Sequence, residues 1–266
     1  MAISTLMYHG IVEANSTNRY HLSIHDFRRH LEGLRQRLGR APAVPDSSGA
    51  PMTGFALTFD DGHPGWLGAG EELSQLGWKA VFLVVTSAIG RPGELSKDDL
   101  RRLASMGHVV GSHTVDHPAL AGQSLDFIVR QWSESKAFLE DVLGESVTAA
   151  AVPGGYYSAS VGKGAHAAGI RHLFTSEPVR TPWREGDCVV YGRFAVLNGM
   201  SAGRVADLAA GAPLPCAGQF AAWQGKKVLK SALGTSYLRL REAALRRYFV
   251  SPSPSPSLAP NQLAVD

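Results

Sequence analysis

Short apolar runs alternate with amphipathic helical patterns along most of this chain, and that alternation limits the fold more than any other feature. "ISTLMYH" reads as a strand. "SIHDFRRHLEGLRQRLG" reads as a helix, with Ser23 as N-cap, Phe27, Leu31, Leu34 and Leu38 on one face, and Gly39 as stop. A loop rich in Pro, Gly and Ser runs from about Arg40 to Gly54. Strand "FALTFDDG", a helix to about Leu76, strand "KAVFLVV" and the well-capped helix "SKDDLRRLASMG" follow. Strand "HVVGSH", a helix from Ser124 to Leu143, strand "VTAAAVPGG", a helix from Ala159 to Ala168 and strand "HLFTS" continue the pattern. "CVVYGRFAVL" reads as one further strand, and "SAGRVADLAAG" as the helix after it.

Strands separated by helices join through right-handed crossovers into a mainly parallel sheet. About seven of them predict an α/β fold built as an irregular (β/α) barrel, with an open doubly wound sheet as the alternative. In both, the polar segments "YHG", "DDG", "SHTVDH" and "PGG" gather at the carboxyl end of the sheet, where sites form. The barrel domain is expected over residues 1–222 and a basic amphipathic helix over 223–249. Residues 250–266, where Ser and Pro alternate, are expected to be disordered.

Hydrophobic residues make up 44% of the 266 positions, enough for a sizeable core. A net charge of +3 is too weak to argue for nucleic acid. Cys188 and Cys216 form no CxxC arrangement, which fits a reducing compartment or simple packing better than a disulfide framework. No basic stretch precedes a long apolar one near the start, and no apolar run approaches membrane-spanning length. The expected location is the cytoplasm, with peripheral contact at an inner membrane face through the basic C-terminal segment.

Two adjacent carboxylates, Asp60 and Asp61, end an apolar strand, and their side chains diverge. Taken alone they are an ordinary turn. His113 and His117 are four residues apart, so a helical turn would present both rings to one ion. Two imidazoles and a carboxylate can hold a divalent metal and leave positions open for water and substrate. In "AAAVPGGYYS", Gly154 and Gly155 allow close backbone approach, and the N–H groups could face an oxyanion. Tyr156 beside them reads equally as a sugar platform or as core. His9, alone, reads as a buried structural histidine.

Together and in this order, "LTFDDG", "GSHTVDHPAL" and "VPGG" resemble the polysaccharide deacetylase family, carbohydrate esterase family 4, across about residues 1–210. The resemblance implies a distorted (β/α) barrel that hydrolyses N-acetyl groups of amino sugars with a divalent metal. Zinc is the first choice, and cobalt, nickel or iron would suit the same ligands. It implies Asp60 as catalytic base, Asp61, His113 and His117 as metal ligands, and the Gly154 N–H as oxyanion donor.

Two positions depart from the family. Ala151 stands where an Arg usually orients the base, and Arg193 in "YGRFAV" is the candidate replacement. No histidine follows His172 to supply the usual late general acid. "TLMYHG" resembles that motif displaced to the front of the chain, as in a circularly permuted subgroup, which implies His9 as the acid. The expected substrate is an N-acetylated sugar of a glycan or its precursor, in lipid-linked or nucleotide-linked form. The rival readings are an amide or cyclic-imide hydrolase acting on a non-sugar, and an inactive glycan-binding member.

Overall fold

A computed structural model describes residues 2–228. The strands, in chain order, are β1 (Ile3–Tyr8), β2 (Gly10–Val12), β3 (His21–Ser23), β4 (Gly54–Asp61), β5 (Val81–Val84), β6 (Val109–Ser112), β7 (Ala149–Ala151), β8 (His172–Phe174), β9 (Trp183–Glu185), β10 (Cys188–Tyr191) and β11 (Phe194–Ala195). The helices are α1 (Ile24–Leu38), α2 (Trp66–Gln75), α3 (Lys97–Ser105), α4 (Leu125–Leu143), α5 (Ala159–Ala167) and α6 (Ala202–Ala210).

Nine strands form one curled sheet in the order β11-β1-β4-β5-β6-β7-β8-β10-β9, and β2 pairs with β3 apart from it. All neighbours in the large sheet are parallel except β10 and β9. The expected barrel of about seven parallel strands is therefore corrected to a mixed nine-stranded half-barrel, with β11 and β9 as its edges. The strand order by itself displays no permutation. The expected single strand "CVVYGRFAVL" is two. β10 pairs with β8, whereas β11 pairs with β1 at the other edge. Gly192 lies at the break, where only glycine fits: a Cβ there would lie 2.3 Å from the Glu177 carbonyl oxygen.

Period-two alternation sorts the strand residues into layers. Phe55, Leu57 and Phe59 of β4 and Phe82 and Val84 of β5 join the core that includes Phe27, Leu31 and Leu34 of α1 and Trp66, Ala69 and Leu73 of α2. Ala56, Val81, Leu83, Ala149 and Ala151 belong to a separate cluster with Ile3, Met52, Phe174, Val189 and Tyr191. On β4 that alternation puts Thr58 and Asp60 in phase with Ala56, so both face the concave side.

The helix ends follow their local chemistry. Ser23 caps α1 through the Asp26 N–H, and Gly39 ends it in the left-handed region. Ser96 and Asp99 form a reciprocal capping box on α3, and Ser124 caps α4. At the β11 edge the Gln219 amide accepts from the Ala195 N–H at 3.0 Å and donates to its carbonyl at 2.8 Å, so a side chain supplies the missing strand partner.

The described residues up to Ala221 form one compact unit, and Ala222 opens a second. Residues 213–228 are helical. The remainder of the expected basic helix and the Ser/Pro tail lie outside the described residues. Among the described residues no helix is long and apolar enough to cross a membrane.

Candidate metal centre and catalytic site

Parallel pairing aligns the strand ends that carry polar residues. Asp60 stands opposite Leu83, Asp61 opposite Val84, and Val84 opposite Ser112. His113 and His117 follow directly from Ser112. One ligand atom from each of Asp61, His113 and His117 lies within 4.8 Å of the others. Asp61 Oδ1 is 3.4 Å from His113 Nε2 and 3.5 Å from His117 Nε2.

The two histidines meet through a loop, not through the helical turn their spacing suggests. The Thr114 hydroxyl accepts the His117 N–H at 3.1 Å, and Gln131 of α4 accepts the Val115 and Asp116 N–H groups. Among the described residues, Asp61, Thr114 and His117 are the non-glycine residues with positive φ, at 87°, 68° and 55°. Such backbone costs on the order of 1–3 kcal/mol per residue and concentrates at functional sites. Two of the three candidate ligands thus carry it.

The donor set fits a divalent cation. His113 Nδ1 donates to the Ala151 carbonyl at 2.9 Å, which leaves an unprotonated Nε2 on the neutral ring. That lone pair faces the Asp61 carboxylate, acceptor against acceptor. A shared cation resolves the conflict, as does protonation. Burial alone would lower the His113 pKa, yet Asp60 and Asp61 raise it, so the centre attracts positive charge. Burial likewise works against ionised Asp61, but His113, with His9 and His117, holds its carboxyl far below the usual range.

Asp60 is only 3% exposed. Arg193, at 1%, grips it with both nitrogens: Nη1 to Oδ1 at 2.6 Å and Nη2 to Oδ2 at 2.7 Å. Arg193 Nε donates to the Thr175 carbonyl at 2.8 Å and Nη1 to the Thr58 hydroxyl at 3.2 Å. One guanidinium thus ties the end of β8 to β4 across the seam between the sheet edges. Burial raises the Asp60 pKa, but Arg193 and His113 outweigh it and keep the carboxylate ionised. Arg193 thus holds the Asp60 carboxylate, as expected of the candidate replacement for the Arg absent at Ala151.

His9 follows Tyr8, which pairs with Phe59, so it stands level with Asp60 on the next strand. Burial lowers its pKa, opposed by the charges of Asp60 and Asp61. The Trp66 indole donates to the His9 carbonyl at 2.8 Å. Trp66 is core, as its apolar surroundings suggest, and also fixes this backbone. The loop after β7 holds Gly154, exposed at φ 63°, and the Gly155 N–H bonds to Val152. Tyr156, also exposed, lies against Gly154, whose Cβ position is 3.4 Å from the ring. A Cβ on Gly155 would lie 1.9 Å from Ser176 Oγ, so only glycine fits there. The roles of Thr58 and Thr175 left no sequence signal, because both are ordinary strand-end residues until Arg193 meets them.

Residues 50–173 match the family described as polysaccharide deacetylase. The chain is 26% identical over 205 residues to YxkH of Bacillus subtilis, named for polysaccharide deacetylase, covering 74% of this chain and 72% of that protein. It is 33% identical over 107 residues to the peptidoglycan-N-acetylglucosamine deacetylase PgdA of Listeria monocytogenes, covering 40% of this chain and 22% of that protein's length. Among solved structures, the Streptococcus pyogenes deacetylase PplD shares the fold with a TM-score of 0.65 at 22% identity, over 76% of this chain and 95% of that one.

Proposed function

We propose that this chain, whose residues 50–173 match the polysaccharide deacetylase family, is a metal-dependent N-deacetylase of N-acetylated amino sugars in a glycan or its biosynthetic precursor. The carrying observation is the three-ligand cluster Asp61, His113 and His117 beside a buried, Arg-clamped Asp60. PgdA, named for N-acetylglucosamine deacetylation, supports the sugar amide as substrate.

Amide hydrolysis needs an activated water, a stabilised oxyanion and a protonated leaving amine. Asp61, His113 and His117 would hold a divalent ion, zinc first and cobalt, nickel or iron by the same chemistry, which when bound acidifies water and polarises the carbonyl. Asp60 removes the water proton as attack begins. Its two Arg193 bonds fix the plane of the carboxylate and leave further lone pairs for that proton. The Gly154 N–H stabilises the developing oxyanion. Protonated His9 donates to the departing nitrogen, in the place of the late family histidine that this chain lacks. Tyr156 offers a ring face to the sugar.

The inactive-member reading rested on Ala151; Arg193, between β10 and β11, holds Asp60 by both carboxylate oxygens, which weighs against it. The proposal extends to a cytoplasmic lipid-linked or nucleotide-linked precursor as the substrate. The test is release of acetate and free amine from N-acetylglucosamine oligomers. Turnover that requires added divalent metal and is lost in Asp60→Asn is expected. No turnover with zinc, cobalt or nickel would overturn the reading.

A further inference from the structure

His9 has an unusual support for a residue that must aim a proton. Its Nδ1 is buried and has no hydrogen-bond partner among the described residues. A histidine ring not held through that nitrogen has a broad torsion about χ2. Packing must then set the ring's direction. The strand below fixes only the backbone, through the Trp66 bond to the His9 carbonyl.

The packing partner is Tyr20. Its ring centroid is 4.8 Å from that of His9, with the planes tilted by 49°. Tyr20 is 41% exposed, so it contributes little to the core. It comes from residues 13–20, the loop between β2 and β3, and that loop is tied down at several points. The Asn18 side-chain oxygen accepts the Tyr20 N–H at 2.9 Å, and the Asn18 carbonyl accepts the His21 N–H at 3.1 Å. From the loop after β11, Asn198 donates its side-chain amide to the Ser16 carbonyl at 2.6 Å and its backbone N–H to the Arg19 carbonyl at 2.8 Å. The Arg19 guanidinium lies over the Tyr20 ring at 5.3 Å.

We propose that Tyr20 is a positioning residue: held by this strap, its ring fixes the imidazole of His9 so that the N–H points at the leaving amine. The inference rests on His9 as the general acid and adds the means by which it is aimed. Orientation of a catalytic group is worth much of its effect, and a ring free to turn forfeits part of it. The phenol hydroxyl has no part in this role, so phenylalanine should serve equally well.

The experiment compares wild type, Tyr20→Ala, Tyr20→Phe, His9→Ala and the Tyr20→Ala/His9→Ala double variant, each metal-loaded and folded. Two substrates are used: an N-acetylglucosamine oligomer and an acetate ester of a good phenolate leaving group, which needs no proton to depart. In Tyr20→Ala, kcat on the amide should fall roughly 10- to 100-fold with KM little changed, while ester turnover stays near wild type. Tyr20→Phe should restore the amide rate. In the double variant, loss of Tyr20 should add nothing to loss of His9. In metal-free protein, the His9 ring resonances should show an aromatic ring-current shift that Tyr20→Ala abolishes and Tyr20→Phe keeps.

Equal losses on both substrates, a change confined to KM, or additive losses in the double variant would each overturn the positioning role while leaving His9 as the acid. If His9→Ala shows no amide-selective loss, the acid assignment itself has failed and the role of Tyr20 falls with it.

Discussion

Asp60 and Arg193 are a fully desolvated ion pair with every guanidinium nitrogen engaged. Such a pair is costly to break from one side, because the survivor stays buried and charged; the loss is about 3–5 kcal/mol. Arg193→Met should therefore destabilise the protein as well as slow it. Arg193→Lys keeps charge but cannot bridge two carboxylate oxygens. We expect it to retain the fold and metal and lose most amide turnover, as steady-state kinetics beside elemental analysis would show. Asp60→Asn should keep metal and lose about 100- to 10,000-fold in rate, the range for a general base. Near-wild-type turnover would mean that the water needs no protein base. His113→Ala and Asp61→Ala should instead lose the metal, and undiminished metal content in both would remove the assigned centre.

Histidines at the joints between elements have a different role. His108, just before β6, accepts the Ala80 N–H on Nδ1 at 3.3 Å and donates from Nε2 to the Gly70 carbonyl of α2 at 3.0 Å. Its neutral form suits both bonds, and protonation of Nδ1 would set donor against donor. Burial lowers its pKa, opposed by the Gly70 bond and aided by Lys79. The unfolded ring, with a pKa of about 6.5, binds the proton better than the folded one. The stability from His108 is thus complete above that value and is lost as pH falls toward the folded one. We expect the Tm of the metal-free protein to drop between pH 7.5 and 5.5, and His108→Asn to flatten that slope. An unchanged slope would show that His108 titrates alike in both states. At the same scale the capping box of α3 is worth about 0.5–2 kcal/mol, the expected cost of Ser96→Ala by chemical denaturation.

Across the whole molecule, the sheet curls without joining its edges. Arg193 bridges the seam from inside, and Gln219 covers the β11 edge from a neighbouring helix. Beyond this unit the chain is basic: Lys226, Lys227, Lys230, Arg239, Arg241, Arg246 and Arg247 stand against Glu242 and Asp266. We propose that this segment binds anionic membranes weakly and with salt sensitivity. Co-sedimentation with anionic liposomes should fall when the chain is ended at Ala222 and when salt is raised. Equal sedimentation of both forms would assign the basic residues another role.

The candidate ligand cluster and most helix boundaries were legible in the chain because they depend on residue type and short-range spacing, whereas the proposed base followed from the order of the motifs. Ser23, Ser96 and Ser124 cap the N–H groups three residues on, and Gly39 takes a conformation that few other residues accept. "DDG" and "HTVDH" supply the candidate ligands Asp61, His113 and His117, and residue type and spacing point to them. Tertiary structure alone decided that "CVVYGRFAVL" splits at Gly192, since its two halves pair with different strands, β8 and β1. It alone put Arg193 on Asp60, 133 positions away in the chain, because only the curl of the sheet brings the two sides of the seam together. The same holds for Tyr20 and His9. Capping and motif spacing act within a few residues and leave a pattern in sequence, whereas contacts made by sheet curvature and loop ties depend on where the whole chain has folded.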